Sequence, residues 1–397
     1  MQEEPHSQRC RMITRPHRPA SGNQETTSCN TVVFLNVTNE NYPRNRDLRS
    51  QFAKQGFLVV LQRRQDKLSY LRRCAWIFRD GLKITPPNSV VVMSEFGNSY
   101  AWVAKILSLV KSSVLVVDGF IGMYETHIQD RGTFNQWSMQ SVFYRIVDLV
   151  ALRSADLYII DTALRADEIT RFSGRTKVLP VPVGAPDWAF PSHLPPARKS
   201  LKLLYYGNYT KLHAVESLLQ CLVDIEDALT LEIVLLGDLR CADKAREITN
   251  QFGPGISVQY VDVVAEDRLA SYIAESDVVV GVFGTSLKAR SVIANKVWQG
   301  LCAGRYVLTQ QSLALEEISD IAAPLLLQVD IGDARSVRSE LKRLSAENTE
   351  SLETRHRISR NLSAYAELGR SEMINQTRDL LKVRSSKRSL VRPARGQ

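Results

Sequence analysis

Short apolar runs recur along most of the chain and alternate with segments of helical periodicity. Within each run the apolar residues are consecutive, which is typical of parallel strands that helices cover on both faces. The helical segments between the runs predict βαβ units with right-handed crossovers. Six runs lie in each half of the chain: 31–37, 57–61, 89–93, 113–118, 156–161 and 177–181, then 201–207, 231–237, 256–262, 276–283, 305–309 and 324–330.

A proline-rich stretch interrupts this alternation. Residues 180–200 contain six of the fifteen prolines, a density that neither a helix nor a central strand tolerates. The pattern therefore predicts an α/β protein with two Rossmann-like, doubly wound domains, at 31–183 and 201–383, joined by a linker at 184–200. The second domain is expected to include terminal helices. Ligands of such sheets bind at the carboxyl ends of the strands, so the site is expected in a cleft between the domains.

The two ends of the chain differ from this pattern. Residues 1–30 are polar and contain prolines, and they have no apolar stretch of the kind a secretory signal needs. Residues 384–397 are basic. Both segments are predicted to be disordered. No apolar run approaches the roughly 20 residues of a membrane span, and the six cysteines form no CxxC pair. A cytoplasmic protein with reduced thiols is expected.

The net charge of +9 is unevenly distributed. Residues 44–83 contain eleven Lys or Arg and three Asp, which suggests an anionic partner or else a solvated helix face. Nucleic acid is the least favoured partner, because no nucleic-acid-binding motif is present. A helix over 66–82 would turn one apolar stripe towards the sheet and leave a basic face for an anionic membrane. The expected stripe is Leu68, Leu71, Ala75, Phe78 and Leu82, and the expected basic face is Lys67, Arg72, Arg73 and Arg79 beside Trp76 and Ile77.

The familiar nucleotide motifs are missing. No strand is followed by G-x-G-x-x-G, no P-loop occurs, and no Asp-x-Asp pair is available to hold a metal ion. Glycines instead follow three strands of the second half, at Gly207, Gly237 and Gly281 to Gly284. Backbone N–H groups at such turns can bind an anion, although glycine is also common there for steric reasons. With Lys288 and Lys296 nearby, they indicate a diphosphate pocket that needs no metal or other cofactor.

Two segments of the second half carry a resemblance to a known family. The segment SDVVVGVFGTSLKARSVIANKVWQGLCAGRYVLTQQ resembles the donor-binding segment of family 4 glycosyltransferases, and LLYYGNYTKLHAVESLLQ resembles the opening of their second domain. In the first half, VVDGFIGMYETHIQDRG is similar to a bacterial subgroup. The resemblance covers about residues 31–330 and implies the GT-B fold, in which two Rossmann-like domains face each other across a cleft.

The resemblance also implies site residues in the second domain. Lys288 and Lys296 would face the donor phosphates, and Gln299 would face the ribose. The chain departs from the family where His213-Ala214 replaces Lys-Gly and where Gln299 and Ser291 replace glutamates. The remaining donor-binding residues implied are Gly207, Lys211, Gly284, Thr285, Ser286 and Asn295.

The first domain offers an acceptor site. Asp118 ends an apolar strand, and Glu125 and His127 follow closely, an arrangement that suits a general base or a group that orients a hydroxyl. A helix cap with local salt bridges is the alternative. The resemblance favours the acceptor site, with Asp118 and Glu125, like Lys288 and Lys296, as candidate catalytic residues. The other acceptor-side residues are Asn36, Asn39, Tyr124, His127, Asp130 and Arg131.

Together these features predict a retaining glycosyltransferase that needs no metal. It would move a sugar from a nucleoside-diphosphate sugar to a glycan or a lipid-linked acceptor. A peripheral position on the inner face of the plasma membrane would suit either acceptor. The alternative is a catalytically inactive GT-B-like protein that binds a nucleotide or a glycan without turnover.

Overall fold

The computed structural model describes residues 30–94, 96–130, 132–196, 199–223, 229–346 and 350–391. All twelve predicted strands are present, and they form two six-stranded parallel sheets. Their residues are buried on both sides in the central strands, which is why the runs are apolar throughout. The prediction of two doubly wound domains is confirmed.

The first sheet has the strand order β2-β1-β3-β4-β5-β6. Helices α2 to α5 cover one of its faces, and α1 packs on the other. Its elements are β1 (Thr31–Val37), α1 (Pro43–Lys54), β2 (Leu58–Arg63), α2 (Tyr70–Ile84), β3 (Val90–Met93), α3 (Ala101–Val110), β4 (Val114–Asp118), α4 (Met139–Ser154), β5 (Leu157–Ile160), α5 (Ala163–Thr170) and β6 (Lys177–Pro180).

The second sheet has the strand order β12-β11-β10-β7-β8-β9. In both sheets the order reverses beside the first strand, and such a switch point opens a crevice at the carboxyl ends of the strands. The elements of the second domain are β7 (Leu201–Tyr206), α6 (Val215–Leu222), β8 (Leu231–Leu236), α7 (Asp243–Thr249), β9 (Ile256–Val261), α8 (Glu266–Glu275), β10 (Val278–Val280), α9 (Leu287–Ser291), α10 (Asn295–Cys302), β11 (Tyr306–Gln310), α11 (Ser319–Ala322), β12 (Leu326–Val329) and α12 (Ala334–Ala346).

The last helix, α13 (Leu352–Val391), belongs to both domains. Leu362 lies in the core of the second domain, whereas Met373 and Leu381 lie in the core of the first. The predicted boundary at 201–383 is therefore wrong at its end, because the chain returns to the first domain before residue 383. The helix also extends to Val391, inside the segment 384–397 that was predicted to be disordered. Residues 1–29 and 392–397 lie outside the described residues.

Helix α2 is rotated relative to its prediction. Its buried face contains Arg73, Cys74 and Ile77, whereas Leu71 of the predicted stripe is 75% exposed. Arg73 can be buried because it donates to the carbonyl oxygens of residues 65, 66 and 68 and to the hydroxyl of Tyr100. Arg73 therefore does not belong to an exposed basic patch. Within the described part of the chain, no helix combines the length and the apolar character needed to cross a bilayer.

Candidate functional site

A cavity of about 350 Å³ lies between the two domains, at the carboxyl ends of both sheets. Five residues predicted for the donor or catalytic site line it together: Gly207, Lys288, Asn295, Lys296 and Gln299. The first domain supplies the opposite wall. That wall contains Tyr42, after β1, and Phe120 and Ile121, after β4.

Lys296 is the most unusual residue of this cavity. It lies in the first turn of α10, its side chain is 4% exposed, and among the described residues its Nζ atom has no hydrogen-bond partner. Nζ lies 4.1 Å from the ring centroid of Tyr205, which offers partial compensation through a cation–π contact. Burial lowers the pKa of Lys296 to about 7. An anion in the cavity would supply the missing partner.

The amino end of α10 points to the same kind of ligand. Its N-cap residue is Ala294, which offers no side chain to accept from the first backbone N–H groups of the helix. The Oδ1 atom of Asn295 also has no hydrogen-bond partner in the described structure, and as an acceptor it suits a ligand hydroxyl and not the anion itself. Unsatisfied N–H groups and the helix dipole attract negative charge, so this helix end and Lys296 together form a site for an anion.

Gln299 lies one turn further along α10 and is held in place. The Tyr206 hydroxyl donates to its Oε1 at 2.7 Å, which leaves the amide NH₂ group as the donor for a ligand hydroxyl.

His213 lies on the loop that faces α10, and its Nδ1 atom is 2.8 Å from the carbonyl oxygen of Asn208. Burial, and next the charge of Lys296, lower the pKa of His213 to about 3, so its ring is neutral near pH 7.

The departure at Ala214 lies at a backbone position that favours glycine. Ala214 has φ 43° and ψ 45°, in the left-handed region that favours glycine. The loop of this protein therefore adopts a glycine-type conformation even though it carries a methyl group there.

Four other predicted donor residues have structural roles or lie at the rim. The N–H group of Gly284 already donates to the carbonyl oxygen of Leu212 at 3.1 Å, so it cannot bind a phosphate. Ser286 caps α9 by accepting from the N–H group of Ala289. Thr285 is exposed, and the exposed side chain of Lys211 lies near Gly132 of the first domain.

Lys288 joins the two domains beside the cavity. It lies on α9, and its Nζ atom is 3.5 Å from Oγ1 of Thr126 in the first domain. Next to it, the hydroxyl of Thr162 donates to the carbonyl oxygen of Ser291 at 2.8 Å. These contacts join α9 of the second domain to the first domain.

The structure contradicts the assignment of Asp118 as a general base. Its carboxylate is fully buried, and Arg44 donates to both oxygens, at 3.1 and 3.3 Å. The Arg44 guanidinium also donates to the carbonyl oxygen of Val181, directly after β6. Asp118 therefore compensates a buried cation that ties β4 to the end of β6, and it is not placed to take a proton from an acceptor.

Glu125 and Tyr124 line a different cavity, inside the first domain. Glu125 is paired with Arg165, which is buried and also bonded to Asp161. Tyr124 accepts from Arg145. The two predicted acceptor residues are thus near the cleft but do not line it.

The remaining acceptor-side residues are dispersed. Asn36 is buried at an irregularity within β1, and it does not lie in the loop after that strand. Asn39 accepts from the N–H group of Asn41 in the exposed loop before α1. His127 stacks on Tyr144, with ring centroids 4.8 Å apart. Asp130 ends a turn of π-helix, and Arg131 lies outside the described residues.

Sequence reasoning missed the apolar wall of the cleft. Tyr42, Phe120 and Ile121 follow strands β1 and β4, so the rule that ligands bind at strand ends could have identified them. Residue type alone did not identify them, because largely apolar side chains are not typical of catalytic or phosphate-binding positions. No group of three His, Cys, Asp or Glu side chains converges as metal ligands in the described ranges.

The protein has the GT-B fold, with two Rossmann-like domains that face each other across the cavity. No protein-family model matches the chain, and no curated protein matches it. The resemblance to family 4 stays a prediction.

Several solved structures share the fold. HepE of Anabaena, solved with UDP-glucose, matches with a TM-score of 0.61 at 13% identity, over 90% of this chain and 99% of that one. A glycosyltransferase from Rickettsia africae matches with a TM-score of 0.59 at 10% identity, over 89% and 99%. A putative UDP-N-acetylglucosamine 2-epimerase from Listeria monocytogenes matches with a TM-score of 0.51 at 11% identity, over 85% and 94%.

Proposed function

We propose that this protein transfers a sugar from a nucleoside-diphosphate sugar to a hydroxyl acceptor, and that the second domain binds the donor. The observation that carries the proposal is the buried amine of Lys296 at the uncapped end of α10. A buried charge without a partner is costly, so an anion at this position would stabilise it. A diphosphate on this helix end would pair with Lys296 and with the first N–H groups of the helix.

The neighbouring residues fit the rest of such a donor. The amide NH₂ group of Gln299 would donate to a ribose hydroxyl, and Lys288 would approach the phosphates from α9. As the bond to the sugar breaks, negative charge grows on the departing diphosphate. Cations and helix N–H groups that are already oriented stabilise this charge without reorganisation, and this is the basis for proposing transfer without a metal ion.

The acceptor would approach from the side of the first domain, over Tyr42, Phe120 and Ile121. We infer a growing cell-surface polysaccharide or a lipid-linked glycan as the acceptor class. Transfer with retention is supported by the resemblance to family 4.

A second candidate is a protein that binds a nucleotide or glycan without turnover. The replacements at His213, Ala214, Ser291 and Gln299 favour it, because a neutral amide at Gln299 binds a ribose without the charge of a glutamate.

The two candidates differ in one product. With a panel of nucleotide sugars and an acceptor preparation, a transferase releases free nucleoside diphosphate and transfers labelled sugar to the acceptor. Binding without turnover gives a calorimetric signal but no release. If neither binding nor release occurs with any nucleotide sugar, the proposal is wrong.

A further inference from the structure

Helix α4 exposes an apolar stripe. Met139, Val142, Phe143, Ile146 and Val150 lie on its outer side, with exposures from 40% to 82%. Their spacing of three and four residues confines them to an arc of about 100°. The inner side of α4 packs on the first sheet through Ala151 and Leu152. The stripe is therefore a second apolar side of the helix, which the core of the domain does not cover.

Helix α3 continues this surface. It packs between α2 and α4 in the helix layer of the first domain. Nζ of Lys105 on α3 is 2.9 Å from Asp156, just after α4. The outer side of α3 exposes Trp102, Ile106, Leu109 and Val110 by 40% to 61%. We call these four residues and the α4 stripe the apolar face. Single exposed apolar residues are ordinary, but nine on two adjacent helices mark a binding surface.

The charge around the apolar face is positive. Helices α2, α3 and α4 contain seven Lys or Arg and only two Asp. Both acids are engaged: Asp148 accepts from Asn98 and from two backbone N–H groups beneath α4, and Asp80 accepts from Gln62. The exposed basic residues at the margins are Arg72, Arg79 and Arg153. An apolar surface with a basic margin is complementary to anionic lipid.

Aromatic residues lie where α4 begins, at the end nearest the cleft. Trp137, immediately before α4, is 85% exposed, and Phe134 is exposed in the preceding loop. Tryptophan is favoured at a membrane interface because its ring is apolar and its N–H group is polar. A second copy of the chain fits this surface less well, because a twofold contact would bring the basic margins of the two copies together.

From these observations we propose that the apolar face docks on an anionic bilayer, with α3 and α4 lying along the lipid interface. This surface adds an apolar face on α3 and α4 to the basic face of α2 that the sequence predicted, and Arg72 and Arg79 of that face form part of its margin. It lies outside the cleft and does not depend on the transfer reaction. Docking would place the first-domain side of the cleft next to the membrane.

Vesicle flotation tests the proposal. The full chain is mixed with vesicles of phosphatidylcholine alone, or of equal parts phosphatidylcholine and phosphatidylglycerol. The wild type is expected to float with the anionic vesicles and to detach as salt increases. The double variant Val142→Glu/Ile146→Glu should lose about tenfold or more in vesicle affinity, since it inserts two charges into the stripe. The matched control Val263→Glu changes a residue of the second domain that is 68% exposed and should float like the wild type.

A second measurement does not depend on the stability of the double variant. Brominated lipids should quench the tryptophan fluorescence of the wild type. Trp137→Phe should lose much of the quenching, whereas Trp188→Phe, in the linker, should keep it. Circular dichroism and UDP calorimetry on each variant separate loss of docking from loss of fold or of donor binding.

Three results would overturn the proposal. The first is equal flotation of the double variant and the wild type. The second is equal binding to neutral and anionic vesicles. The third is a stable dimer in light scattering that the double variant dissociates, in a protein that binds no vesicle.

Discussion

Lys296 is expected to lower the stability of the folded protein and to raise its affinity for UDP. Its amine is buried and has no hydrogen-bond partner among the described residues. Replacing it by methionine keeps most of the volume and removes the charge. We expect Lys296→Met to stabilise the apo protein by about 1–3 kcal/mol and to weaken UDP binding by about 1.5–3 kcal/mol, the worth of a hydrogen bond to a charged group. Thermal unfolding and calorimetry measure the two effects, and Lys244→Ala, at an exposed residue of α7, is the control. Unchanged UDP affinity would remove Lys296 from the site.

The same residue predicts a pH dependence. The pKa of Lys296 is about 7 in the apo protein and is ordinarily 10.5. Between these values the unfolded chain holds a proton that the folded protein has lost, so the stability contribution of this group rises with pH. A bound diphosphate raises the pKa again, so binding takes up a proton above pH 7.

The affinity for UDP should therefore fall between pH 7 and 9, by up to about tenfold per unit. Calorimetry in buffers with different ionisation enthalpies measures the proton uptake. It should disappear in Lys296→Met. Proton release, or a flat profile in the wild type, would contradict the assigned role.

Fixed cations in the cavity also predict the response to chelation. If Lys296 and Lys288 carry the charge of the departing diphosphate, transfer should continue in EDTA. The measurement is nucleoside diphosphate release with and without the chelator. Loss of release that Mg²⁺ or Mn²⁺ restores would show that a metal carries this charge.

At the scale of elements, α13 depends on a glycine. A Cβ atom at Gly369 would lie 2.6 Å from Cδ of Pro182 and 3.2 Å from the carbonyl oxygen of Pro180. Helix propensity alone favours Gly369→Ala by about 1 kcal/mol. Overpacking at this close approach should cost about 1–3 kcal/mol and prevail. We expect a lower melting temperature than in the exposed neighbour variant Leu368→Ala. A higher one would show that the helix can move outward without cost.

At the scale of the molecule, several polar contacts join the two domains across the cleft. They include Lys288 with Thr126, Thr162 with Ser291, and Arg46 with Glu266 at 2.7 Å. Such an interface permits a hinge motion. We expect UDP-sugar to reduce the radius of gyration in small-angle scattering, because closure would exclude water from the donor. Lys296→Met should not respond at the same ligand concentration. Identical wild-type curves with and without saturating ligand would count against closure.

The sequence by itself determined the two sheets and part of the cavity. A strand that is buried on both faces requires consecutive apolar residues, so each strand could be predicted from its apolar run. The proline cluster in the same way predicted the linker. Lys296 was identified because Asn-Lys precedes an otherwise apolar helix that has to be buried. These are local signals, since periodicity and residue type report burial directly.

Only the tertiary structure decided which distant residues meet. Asp118 resembled a catalytic base until its partner, Arg44, was located 74 positions earlier in the chain. In the same way, α13 returns to the first domain, and Arg73 is buried against carbonyl groups of the loop before α2. Likewise, apolar residues of α3 and α4 that would suit a core lie on the outer surface. A charged or apolar side chain does not encode its own partner, and the partner comes from the packing of the elements.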